Sequence, residues 1–174
     1  MRIRLFGSLA SAMVLVLTLA SVTYGAAAHR RVTALDACDG PSFNAAIGSG
    51  ACDRSGGVKF DTFVGQLIAM GEAPAWRFAP EAMTLADGGS IDAYNGGGEF
   101  HTFTEVAAFG GGCVPQLNGL LGLSPVPECA GAPGILFTTG IAPGAELEGQ
   151  PLSTGIHRFQ CLIHPWMRTM VTVK

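Results

Sequence analysis

The sequence predicts an all-β sandwich preceded by a short N-terminal helical and loop extension, and three observations lead there. Glycine (25) and proline (10) are frequent in a chain of 174 residues, which favours turns over long helices. Hydrophobic residues reach 48% against 13% charged, so the chain can bury a core and is neither disordered nor a charge-rich module. From Trp76 onward, short apolar segments recur between turn residues at the close spacing of sandwich strands.

The first 28 residues read as a secretory signal. Arg2 and Arg4 form a basic start, Leu5 to Ala20 is an apolar run, and Ala26, Ala27 and Ala28 supply a small-residue cleavage site after Ala28. The run is shorter than the ~20 apolar residues of a spanning helix, so no membrane span is expected after cleavage; an uncleaved anchor is the alternative. Leu35-Asp36-Ala37-Cys38 is a weak lipobox match, but it lies beyond the apolar run with Arg30 and Arg31 between. The expected location is secreted or periplasmic.

Residues 29–74 form the extension. Residues 29–57 show no periodicity and carry Gly40-Pro41, Gly48, Gly50, Gly56 and Gly57, the signature of loop. Phe60, Val64, Leu67 and Ile68 then fall on one helical face, which predicts a helix over Thr62–Met70 with Asp61 as N-cap and Gly71 as stop. Residues 75–174 are the sandwich domain. Its strands are expected at Trp76–Phe78, Met83–Leu85, Ile91–Tyr94, His101–Val106, Gly134–Thr139, Ala145–Leu147, Ile156–Cys161 and Thr169–Val173, with residues 110–134 a Gly/Pro-rich loop.

Five cysteines in an oxidising compartment leave one over. Pairing neighbours, Cys38 with Cys52 and Cys113 with Cys129, would close two short loops and leave Cys161 alone; spacing does not fix the connectivity. The formal charge of −3 and the scattered Lys and Arg give no footprint for nucleic acid.

The segment that carries chemistry is Cys161-Leu162-Ile163-His164-Pro165-Trp166-Met167. It sets a thiolate, an imidazole and a thioether on one loop leaving a strand, and soft sulfur donors with imidazole favour copper over hard cations. A mononuclear electron-transfer copper site needs two His and one Cys with a weak axial Met. Of the other histidines, His29 stands at the new N-terminus, and His157 lies about 13 Å back along the Cys161 strand. His101, at the start of a predicted strand, remains. Zinc would want a closed set such as paired Cys-x-x-Cys, which is lacking, and a Cys161–His164 nucleophile pair lacks any orienting third group in the sequence.

Phe78-Ala79-Pro80, Gly89, Ile91 and Asn95 before His101-Thr102-Phe103, followed by Pro143-Gly144, Gly155 to Cys161 and the Val171-Thr172-Val173 ending, resemble the two halves of the cupredoxins, the small blue copper proteins. The resemblance covers about Trp76 to Lys174, and the ligand loop is most similar to that of amicyanins. It implies a cupredoxin-like Greek-key β-sandwich holding one type 1 copper ion. His101, Cys161 and His164 would be the equatorial ligands and Met167 the axial one, ahead of Met170, which belongs to the final strand. Asn95 would tie the ligand loops together by hydrogen bonds. It further implies an electron carrier rather than an enzyme, expected to be monomeric, with His164 near the surface and an exposed Pro165-Trp166 patch on which redox partner proteins dock. The alternative is a periplasmic copper-binding protein for storage, delivery or buffering; the four methionines left after signal removal do not cluster as a carrier's would.

Overall fold

In the computed structural model, residues 29–149 and 151–174 are described; the expected signal peptide lies outside them. Two four-stranded sheets form the sandwich. The first runs β2 (Arg77–Ala79), β1 (His29–Leu35), β4 (Ser90–Asn95), β8 (Glu146–Leu147), with β1 antiparallel to β2 and parallel to β4. The second runs β3 (Ala82–Leu85), β10 (Arg168–Val173), β9 (Gly155–Gln160), β6 (Thr104–Glu105), with β3 and β10 parallel and the other pairs antiparallel. A small ladder pairs β5 (His101–Thr102) with β7 (Gly140–Ile141).

The period of two decides which side chains meet between the sheets. Ile91, Ala93 and Asn95 alternate inward on β4, as do Thr169, Val171 and Val173 on β10. Phe103 bridges the layers, stacked on Phe159 with ring centroids 4.3 Å apart and edge-on to Phe78 at 5.3 Å. Such aromatic pairs add about 1 kcal/mol each beyond their buried area.

The extension is not separate from this sandwich, which corrects the boundary expected at residue 74. β1 is an inner strand of the first sheet, paired along His29–Ala34 with β4, and it contributes buried Val32 and Ala34 to the common core. Its three leading polar residues, all exposed, hid the alternation. A second helix was also unforeseen. In α1 (Gly40–Ile47) the Asp39 side chain accepts from the Ser42 N–H at 3.1 Å and Pro41 sits in the first turn, so Asp39-Gly40-Pro41 starts a helix within the stretch expected to be loop. The predicted helix is α2 (Phe60–Met70), which buries Phe63 and Leu67 and ends at Gly71 with φ 76°. It begins ahead of Asp61, and Lys59 occupies the N-cap position.

Residues 110–134 hold more structure than a loop: α3 (Pro115–Leu121) and a 3₁₀ turn (Pro127–Gly131). The strand expected at Gly134–Thr139 is instead a short helix, α4 (Gly134–Thr138). There the Thr139 hydroxyl bonds the Ile135 carbonyl at 2.7 Å, and Ile135 and Leu136 pack against a small second core around Val106, Val126 and Leu162. Local hydroxyl-to-carbonyl bonding and that side core override the β preference of Thr and Ile. The disulfides join Cys38 to Cys52 and Cys113 to Cys129, and Cys161 is free and buried. Among the described residues no helix is long and apolar enough to cross a membrane.

Candidate metal centre

At one end of the sandwich β9 delivers Cys161, the loop to β10 delivers His164, and β5 begins with His101. The loop is tight: the Cys161 N–H donates to the Met167 carbonyl at 3.0 Å, and the Met167 N–H to the His164 carbonyl at 2.9 Å. These bonds hold Cys161 and His164 on one side of a single turn. The loop is also braced from behind. The Leu162 N–H donates to the Thr102 hydroxyl at 2.7 Å, the Cys113 N–H to the Leu162 carbonyl at 2.6 Å, and a Cβ at Gly112 would overlap that same carbonyl.

The three donor atoms form a compact triangle. Cys161 Sγ lies 3.9 Å from His101 Nδ1 and 3.9 Å from His164 Nδ1, and the two nitrogens are 3.2 Å apart. His101, Cys161 and His164 are 0%, 0% and 4% exposed. Metal bonds of about 2.0 Å to imidazole nitrogen and about 2.3 Å to thiolate, spread in a trigonal plane, span edges of roughly 3.5–3.8 Å, within a few tenths of an ångström of those seen here, so the three donors are placed as a metal-binding group. The soft donor set favours copper. Cys161 Sγ further accepts from the Thr102 and His164 N–H groups, both at 3.4 Å. Burial pushes the Cys161 thiol up, but the flanking His101 and His164 rings hold it well below the ordinary thiol range.

Each ring nitrogen facing away from the triangle meets a carboxylate. His101 Nε2 lies 2.9 Å from Asp36 Oδ2, with both side chains fully buried, and His164 Nε2 lies 3.6 Å from Glu99 Oε2. Burial raises Asp36, yet the His101 hydrogen bond and the Gly98, Glu99 and Cys38 N–H groups bring it down to about 2. Burial lowers His101, and Asp36 and Cys161 more than offset it, to about 9. Burial shifts Glu99 upward, opposed by His164 and by the Trp76 indole N–H that it accepts. Sequence reading missed both carboxylates.

Asn95, expected to tie the loops, is fully buried; its amide donates to the Glu99 carbonyl at 2.7 Å and the Ile141 carbonyl at 2.9 Å, and its Oδ1 accepts from the Gly97 N–H at 2.9 Å. Met167, which ends the Cys161–Met167 loop, is fully buried, whereas Met170 on β10 is 40% exposed. The expected exposure of the Pro165-Trp166 patch does not hold. Pro165 is buried and Trp166 half-buried, because Phe63 of α2 packs on Trp166 at 5.9 Å and edge-on to His164 at 6.4 Å between ring centroids. What opens beside His164 is a cavity of about 570 Å³ between α2 and α3, walled by Phe60, Phe63, Leu67, Leu117 and Leu120 and reaching Glu99 and His164.

No family model matches the chain, and no curated protein matches it. Solved structures with similar outlines include cupredoxins. The purple cupredoxin from Nitrosopumilus maritimus shares 12% identity over 83% of this chain and 99% of its own, with a TM-score of 0.41. Amicyanin from Paracoccus versutus shares 14% identity over 56% of this chain and 73% of its own, with a TM-score of 0.36. A copper-containing nitrite reductase from Thermus scotoductus shares 14% identity over 56% of this chain but only 20% of its own, also at 0.36. At these identities and scores the likeness carries no argument of its own, and the chemistry rests on the donor triangle.

Proposed function

We propose that this chain is a secreted or periplasmic blue copper protein that carries single electrons through one type 1 copper ion, and is an electron carrier rather than an enzyme. The observation that carries this reading is the buried triangle of His101 Nδ1, Cys161 Sγ and His164 Nδ1, with edges of 3.2 to 3.9 Å. Copper bound there supplies a one-electron couple. Everything else is the work of the chain's own groups. His101, Cys161 and His164 would hold the ion, and Met167 would be its fourth donor rather than Met170, since Met167 is buried at the loop while Met170 faces solvent. The Thr102 and His164 N–H groups stabilise the thiolate, and Asn95 fixes the Asn95–Glu99 turn that precedes His101. A framework braced this way changes little between oxidation states, which suits electron transfer.

Redox partners are assigned to the face near His164, through the groove between α2 and α3 rather than across Trp166. Its apolar walls suit a docking surface, and His164 is among its lining residues. The test is the visible spectrum of the Cu(II)-loaded chain against Cys161→Ala. An intense band near ~600 nm, from thiolate-to-copper charge transfer at a two-His, one-Cys site, is expected and should vanish in the variant. A colourless protein that binds Cu(I) but not Cu(II) would overturn electron carriage in favour of copper storage or delivery.

A further inference from the structure

The carboxylate behind His101 comes from the N-terminal segment, at the end of β1, and it is more thoroughly built in than any other charged group near the triangle. Asp36 is joined to His101 across 65 positions of sequence at 2.9 Å. Its Oδ1 accepts from the Cys38 N–H at 3.1 Å and the Gly98 N–H at 3.0 Å, and its Oδ2 from the Gly98 and Glu99 N–H groups at 2.9 and 3.1 Å. The cradle depends on close backbone approach, since a Cβ at Gly97 would overlap the carboxylate. Arg54 Nη1 donates to the Asp36 carbonyl at 2.7 Å, and the Cys38–Cys52 disulfide closes the segment beside it. The Cys38, Gly98 and Glu99 N–H groups therefore all point at a carboxylate in one fixed place.

We infer that Asp36 is a positioning residue that sets the tautomer of His101 and biases the centre towards Cu(II). The His101 Nε2–H donates to the carboxylate, which leaves the Nδ1 lone pair facing Cys161 and His164. A carboxylate partner also raises the basicity of a ligating imidazole. A fixed buried anion stabilises the more highly charged metal state more than the less charged one. Glu99 makes the internal contrast. Its oxygen stands 3.6 Å from His164 Nε2, beyond hydrogen-bond distance, and is held instead by the Trp76 indole. The bias therefore belongs to His101 and Asp36.

This inference rests on the copper reading, and its test separates the two. Asp36→Asn and Glu99→Gln are prepared in the full chain, and Cu(II) affinity, Cu(I) affinity and reduction potential are measured. In Asp36→Asn the Cu(II) affinity should fall at least tenfold more than the Cu(I) affinity, which is a rise in potential of about 59 mV or more. Glu99→Gln should move the potential less. A merely structural Asp36 would weaken both oxidation states equally, so an unchanged potential in a folded Asp36→Asn protein overturns the inference, as does a larger shift in Glu99→Gln. If Asp36→Asn does not fold, the reduced wild-type protein decides by proton NMR. A His101 Nε2–H resonance far downfield and slow to exchange is expected, and a rapidly exchanging one overturns the assignment. A wild-type chain without the blue band defeats the copper reading itself, whatever the variants do.

Discussion

Asn95 closes three backbone groups with one side chain, donating to the Glu99 and Ile141 carbonyls and accepting from the Gly97 N–H, with no exposure to water. Removing it strands one N–H and two carbonyls, and an unsatisfied buried group costs about 1–3 kcal/mol. Asn95→Ala should therefore lower the unfolding free energy by about 3 kcal/mol, read as a lower urea midpoint at unchanged slope; a loss below about 1 kcal/mol would show that water or backbone rearrangement replaces the amide. His101, Cys161 and His164 could be singled out in the sequence because Cys161 and His164 lie three positions apart on one loop and His101 starts a predicted strand; Asn95 came from the family resemblance alone, and its bonds reach Gly97, Glu99 and Ile141 rather than the Cys161–Met167 loop. Asp36 and Glu99 were not legible. A carboxylate acquires its partner only through the fold, and Asp36 meets His101 from the far end of a strand whose leading residues read as polar loop.

Among elements, the β6–β9 pair carries a pH-sensitive contact. His157 on β9 places Nδ1 2.6 Å from Glu105 Oε1 of β6 and Nε2 2.7 Å from the Ser153 carbonyl. Both contacts are satisfied at once only when both ring nitrogens carry protons. Burial lowers His157, but the Ser153 carbonyl and the Glu105 carboxylate more than compensate and leave it raised. A raised folded-state value means stability fully present below the unfolded value near 6.5 and lost as pH rises through the folded value. His157→Gln should then be less stable than wild type by about 0.5 kcal/mol at pH 6 and closer to it at pH 9, by urea midpoints at the two values; a constant difference would assign the contact to packing alone. Elements were read well where alternation ran between turn residues, as in β3, β4, β9 and β10. They were misread where local chemistry imitated another state: Gly40-Pro41 was read as part of a loop and starts α1, and Gly134–Thr139 was read as a strand, in keeping with the β preference of Thr and Ile, although it packs as a helix on the small second core.

Across the whole molecule, the N-terminal segment and the sandwich form one core. β1 lies between β2 and β4, Phe43 and Phe63 pack on Trp76 with ring centroids 5.7 and 4.6 Å apart, and Asp36 stands behind His101 of the donor triangle. An inner strand cannot be withdrawn without leaving the ladder groups of both neighbours unpaired, and its loss would also open the aromatic cluster that covers His164. Truncation to residues 75–174 should consequently give a chain with no cooperative transition and no blue band. In the intact copper-loaded chain, Trp76 and Trp166 report on the covered end and the thiolate band reports on the triangle, so both signals should disappear with one urea midpoint, as two-state unfolding requires. Separate midpoints, with the band outlasting the tryptophan change, would mean that residues 29–74 unfold from a sandwich able to keep its metal alone, and would restore the boundary that the sequence suggested.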